Sequence, residues 1–448
     1  MSRLALFCFL ISGLMLPSLY AEDLHDREPI NYLTTPPQDP IAHLQAELES
    51  GKKQLAYDQD KGYLPALLSA LEVPQNSQSL VFSKTSFQQR LIHSQNPRAI
   101  YFNDDVYIGW VPTGDVLEIS AVDPQLGAVF YILSQEQTDA PRFQRKNHEC
   151  LQCHATSNTR DVPGHLVRSV YTTRSGRVNF GMGTFRVDDR TPFENRWGGW
   201  YVTGTHGTAV HMGNNFVSSV NEDDTDFDRT KGANIQELSS FFNVDRYLTP
   251  HSDIVALFVL EHQTQMHNVL TQANYYGKLA LHDEAIIKSM LEQNAEVSSE
   301  SNVPQEYQRS DSIQRRIDNA AKRVVQSLLF CNEMKWEAPV TSESSFTPDF
   351  VTQGPFDIQG RTLRELDLQQ RLFKYPCSFL IYSAAFAELP SPVLESTYRQ
   401  LWEVLQGENQ DEAYSHLDAA SRQAILEILR ATKTDLPPYW KEAGPNLK

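Results

Sequence analysis

The sequence predicts an α+β protein with a β-rich region up to about residue 220 and a mainly helical half after about residue 245. Runs of β-branched and aromatic residues alternate with turn chemistry in the first part. Apolar residues recur with a helical period in the second. A Cys150-Leu151-Gln152-Cys153-His154 run lies between predicted strands, well inside the chain, which argues against a small all-helical fold that opens with such a run.

Residues 22–78 form a leader with two short helical pieces, Ile41 to Tyr57 and Leu64 to Leu71. Five strands are predicted next, at 79–82, 99–102, 106–111, 116–122 and 127–133, with Asn103-Asp104-Asp105, Pro112-Thr113-Gly114-Asp115 and Asp123-Pro124 as turns, which gives an antiparallel meander. Strands follow at 166–171 and 178–187 around a Ser175-Gly176 turn, and at 199–202. The β-rich region is thus 79–220, the acidic linker 221–245 and the helical region 246–448. In the last, helices are predicted at 254–273, 282–292, 314–330, 365–373, 379–387, 393–405 and 419–429, with polar loops at 294–310 and 340–354.

The C-x-x-C-H run is the attachment signature of one covalent haem c. Thiols at Cys150 and Cys153 reach the two vinyl groups of a porphyrin, and His154 supplies the proximal imidazole to iron. In a shuffled chain with 5 Cys and 13 His such a run arises about twice in a thousand trials. A zinc knuckle needs a second ligand pair at close spacing, and none is visible; a redox dithiol is the other alternative. His154 needs an acceptor for its second ring nitrogen, and a carbonyl of the Val162-Pro163-Gly164 turn is the candidate.

The opposite iron ligand is open. Met212, His206 and His211 are the leading candidates, set in a glycine-rich stretch that permits close approach to a haem face; His165, Met182, His262, Met266 and His267 are further ones. His165 follows the proximal turn and is expected on that side. Among Arg160, Arg168, Arg174, Arg177 and Arg186, Arg168 is the first choice for a propionate partner, because its apolar neighbours would point it inward from a strand. Cys331 and Cys377 form a disulfide or are two buried thiols.

Arg3, the apolar run Leu4 to Pro17 and a cleavage point after Ala21 read as a signal peptide over residues 1–21, with an uncleaved anchor as the alternative. Export, here periplasmic, agrees with haem attachment outside the cytoplasm. No later segment is apolar enough to span a membrane. A net charge of −17 disfavours nucleic acid and permits a basic redox partner.

Five stretches carry a family resemblance: Tyr101-Phe102-Asn103-Asp104-Asp105-Val106-Tyr107, Cys150 to Ala155, Pro163 to Val170, Trp197 to Gly207 and Tyr375-Pro376-Cys377-Ser378. In these the chain resembles a group of exported bacterial cytochrome c domain-containing proteins. The resemblance implies haem binding and export, and no particular reaction. The expected function is a mono-haem electron carrier. The alternatives are a peroxidase-like haem oxidoreductase with an open distal site, or a haem-based redox or gas sensor.

Overall fold

The structure, a computed structural model, describes residues 23–221, 227–297 and 309–442. The predicted signal peptide and positions 222–226 of the acidic linker lie outside the described residues.

Helix α1 (Pro40–Glu49) starts where Asp39 accepts the amides of Ile41 and Ala42 at 2.8 and 3.0 Å, with proline in its first turn. Helix α2 (Leu64–Ala70) buries Leu64, Leu67 and Leu68. The predicted meander follows as an antiparallel sheet of β1 (Ser79–Val81), β2 (Arg98–Phe102), β3 (Val106–Trp110), β4 (Val116–Asp123), β5 (Gly127–Ser134) and β6 (Phe143–Arg145), each strand beside its sequence neighbour.

Period-two alternation gives the sheet two faces. Ala99, Tyr101, Val106, Ile108, Trp110, Leu117, Ile119, Val129, Tyr131 and Leu133 share one core with α1 and α2. The other face carries two cross-strand rows. One is Phe102, Tyr107, Ser120 and Phe130; the other is Ile100, Gly109, Glu118 and Ile132.

The chain continues through α3 (His148–His154) and a small hairpin of β7 (Arg168–Val170) and β8 (Thr184–Arg186). Helix α4 (Ile254–Val297) is 44 residues long, and its first turns are buried against the second sheet face. Around it lie α5 (Asp311–Leu328), α6 (Phe346–Thr352), α7 (Ala384–Ala387), α8 (Ser391–Leu405), α9 (Ala419–Thr432) and α10 (Tyr439–Glu442). Val81, Phe102, Tyr107 and Val122 of the sheet belong to the same apolar core as Ile254 to Leu260 of α4 and the C-terminal helices, so the β-rich and helical parts are packed as one body.

The predicted helices at 254–273 and 282–292 are one helix. Gly277 does not break it; a Cβ there would lie 2.7 Å from Val393 and 2.9 Å from Pro390, so glycine permits close approach of α8. The predicted helix at 365–373 is absent. Asp367 accepts the amides of Gln369 and Gln370 at 2.8 and 2.7 Å, and Leu366 pairs with Phe373 across the resulting turn. Such local side-chain bonding competes with helix. Only the last part of 178–187 is strand, because Asn179 caps a turn and Gly183 takes φ 104°. At 199–202 a single bridge, Trp200 to Val81, replaces the strand. The 379–387 helix is reduced to a 3-10 turn followed by α7. β6 and α6 were not predicted; the apolar contacts of Phe346 and Phe350 hold α6 in a segment read as a polar loop.

Candidate functional site

Helix α3 sets Cys150 and Cys153 three residues apart, one half-buried and one exposed. Burial, then the nearby Glu118 and Glu149 carboxylates, push the Cys150 thiol up to about 11. His154 closes the helix with its ring against Phe130, centroids 4.7 Å apart. Its Nδ1 lies 2.9 Å from the Gly164 carbonyl. A carbonyl only accepts, so Nδ1 carries the hydrogen and Nε2 presents a lone pair. Burial lowers the His154 pKa and the Gly164 bond partly offsets that.

The intervening loop is built to hold this contact. Gly164 N–H donates to the His154 carbonyl at 2.8 Å, and Thr159 Oγ1 donates to the same oxygen at 3.1 Å. Thr156 and Thr159 form a capping box. Arg160 and Asp161 both take left-handed backbone, φ 63° and 61°, a conformation that costs of order 1 kcal/mol or more per non-glycine residue and persists only where the surroundings impose it. A Cβ at Gly164 would strike Asn268 of α4.

Beyond Phe130, the same row of the sheet meets two buried histidines. Ser120 Oγ lies 2.8 Å from His165 Nε2, and the Tyr107 ring is 4.2 Å from the His165 ring. Gln263 Nε2 donates to the Tyr107 hydroxyl at 2.8 Å, and that hydroxyl lies 3.0 Å from His267 Nδ1. His267 Nε2 has no hydrogen-bond partner, and His165 Nδ1 has none either. Burial pushes His267 down to about 3 and His165 well below its ordinary value, so both are neutral.

The second row is more open. Ile100, Glu118 and Ile132 are half-buried beside Gly109. Arg98 reaches across the strand to Glu118 at 2.8 Å. Gly109 leaves the room, since a Cβ there would collide with the Arg98 guanidinium. Gln88 donates its backbone N–H to Glu118 at 3.1 Å, and Phe87 beside it is 67% exposed. Both Arg98 and Glu118 act on the His154 charge.

The other predicted site residues lie elsewhere. Arg168 does not point inward; its guanidinium donates to Thr184 at 2.9 Å and covers the exposed Phe180. Its carbonyl accepts the Trp200 indole N–H at 2.8 Å. Met212 is fully buried, its sulfur 3.5 Å from Ser169 Oγ, in a small cluster with Tyr171 and Val217. His206 and His211 pack on each other at 4.8 Å and on Phe193. None of these three contacts His154 among the described residues. His262 is taken up by Asp189 at 3.1 Å and Ser378 at 2.7 Å, and Met266 is core. Cys331 and Cys377 are separate thiols, each pushed up to about 12 by burial.

Sequence reading did not single out Tyr107, Ser120, Asn268, Arg98 or Glu118 for this site. Glu118 and Ser120 do leave a signal, two polar residues alternating in an otherwise apolar strand. No protein-family model matches the chain, and neither a characterised protein nor a solved structure matches it significantly. Among the described residues no helix is long and apolar enough to cross a membrane.

Proposed function

We propose that this chain is an exported mono-haem c-type cytochrome that carries single electrons between redox partners. The supporting observation is the presentation of His154. Its Nδ1 is committed to Gly164, which frees the Nε2 lone pair for iron beside two thiols at the attachment spacing. Bound there, haem c would supply a one-electron iron couple.

The chain's own residues then have separable tasks. Cys150 and Cys153 hold the group covalently. Gly164 fixes the imidazole tautomer and raises its basicity as a ligand. Phe130 restrains the ring by contact. Ile100 and Ile132 offer half-covered apolar surface on the neighbouring row, and Arg98 offers guanidinium donors to propionates, with Glu118 balancing its charge.

A second reading, a peroxidase-like haem oxidoreductase, is favoured by one observation. Met212, His206 and His211 are each engaged away from His154. A sixth position without a protein ligand would admit a small oxidant.

The test is protein matured in a host competent for cytochrome c. Pigment that survives acid-acetone extraction is expected, and its absence rejects both readings. A reduced spectrum unchanged by carbon monoxide supports the carrier. Rapid carbon monoxide binding supports the oxidoreductase.

A further inference from the structure

A pocket of about 200 Å³ opens beside α4, lined among others by Arg160, Asp188, Asp189, Arg190, Gln265 and Arg323. Three guanidinium groups face it in a chain whose net charge is −17. The two carboxylates do not neutralise all three. Asp188 is held by Arg190, through Nε at 3.2 Å and Nη2 at 2.5 Å, and has Arg186 at 3.8 Å. Asp189 faces His262 at 3.1 Å.

Arg160 and Arg323 have no carboxylate partner among the described residues. Arg160 Nε is buried without any hydrogen bond. Arg323 has only the Gln272 side-chain oxygen at 3.3 Å and the Tyr276 ring at 5.8 Å. Gln272 also donates to the Arg160 carbonyl at 2.9 Å, so one amide holds both arginines at the site. Like charges gathered in a half-enclosed space repel and lose hydration, and a bound counter-charge relieves both costs. The Arg160 guanidinium shows this, pushed down to about 10 by burial and by Arg186 and Arg190.

We propose that this pocket binds a small dianion whose charge sits on oxygen, with Arg160 and Arg323 as its principal donors. Guanidinium forks match carboxylate and other oxyanion oxygens in pairs. Two guanidinium groups without a carboxylate partner offer two sets of paired donors, which suit a ligand with two anionic oxygens or oxygen groups. Arg190 and Arg323 are exposed at the rim, which gives the ligand an entry. The site is independent of the haem reading, since none of its donors is a proposed haem contact.

The test is calorimetric titration of the mature chain with sodium sulfate and, separately, disodium succinate, at ionic strength held constant with chloride. One saturable site is expected for at least one of them. Sulfate alone would place both charges on one centre, and succinate alone would place them on two. R323Q changes an exposed helical residue and is expected to fold normally while weakening binding about tenfold or more, the effect of losing a charged hydrogen-bonding partner. R160Q is expected to do the same. The absence of a saturable site for both anions, or undiminished binding by a folded R323Q, overturns the proposal.

Discussion

The side chain of Asn268 on α4 closes both backbone hydrogen bonds of His165: its Nδ2 donates to the His165 carbonyl at 2.7 Å and its Oδ1 accepts the His165 N–H at 2.8 Å. Through this amide the helical half grips the turn that ends in Gly164. The position of the His154 ring therefore depends on a residue more than a hundred positions away in the chain.

Asn268→Ala leaves a buried N–H and a buried carbonyl without partners. Each such loss costs roughly 1–3 kcal/mol, so the variant is expected to lose about 2–6 kcal/mol of stability. Guanidinium chloride unfolding with an unchanged slope and a lower midpoint would bear this out. A midpoint equal to that of the parent would show that the turn holds itself.

Cys150→Ser and Cys153→Ser each leave one sulfur for attachment. Each single variant is expected to retain covalent pigment on a denaturing gel, in reduced yield, and the double variant none. Cys331→Ser and Cys377→Ser serve as controls with full pigment, because both thiols are distant in sequence from the motif, Cys377 buried and Cys331 half-buried. Pigment unaffected in the double variant would remove the basis of the proposed function.

The parts of this arrangement that were legible in the sequence are those made by neighbours along the chain. The C-x-x-C-H run lies within seven helical residues, and its carbonyl partner is ten residues on, within a turn marked by proline and glycine. The strands were legible because hairpin meanders pair sequence neighbours. The Tyr107–His267 and Ser120–His165 contacts join residues 160 and 45 positions apart, and nothing local encodes them. Met212 also owes its packing to partners distant in sequence. Its glycine-rich surroundings do serve close packing, but against Gly198 and Ser169. The absent helix at 365–373 had a helical apolar rhythm, and the Asp367 turn overrode it.

His267 gives a pH-dependent signature. Its pKa falls from about 6.5 in the unfolded chain to about 3 in the fold, so below pH 6.5 the unfolded state binds the extra proton. Stability is therefore lost as pH drops from 6.5 toward 3, by at most about 1.4 kcal/mol per pH unit for this one group. Tyr107 and His165 face its ring, and His262 acts on its charge. His267→Gln keeps a hydrogen-bonding side chain and does not titrate. Its stability relative to the parent is expected to rise steadily as pH falls across that window. A difference constant between pH 7 and pH 4 would show that His267 is not a buried neutral group.

The buried pair Arg196 and Glu261 should respond unequally to the loss of either member. Arg196 is 2% exposed. Besides Glu261 it donates to the carbonyls of Thr191 and Asp188, both at 3.0 Å, and lies over Phe258. Glu261 has one oxygen on Arg196 and the other without a hydrogen bond. Burial pushes its pKa up to about 7 even with the guanidinium beside it. At pH 8, where the Glu261 carboxyl is ionised, Arg196→Met removes its counter-charge and should cost about 3–5 kcal/mol, the usual penalty for stranding a buried ion. Glu261→Gln leaves Arg196 its carbonyl acceptors and an amide oxygen, and should cost less than half as much. The pH dependence has the opposite sign to that of His267. A carboxyl whose pKa is raised on folding contributes fully below about pH 4.5, and that contribution fades as pH rises through about 7. Glu261→Gln should accordingly flatten the stability profile between pH 4.5 and 7. Equal costs for the two variants at pH 8 would mean that the carbonyl cage around Arg196 adds nothing, and that the ion pair alone holds it.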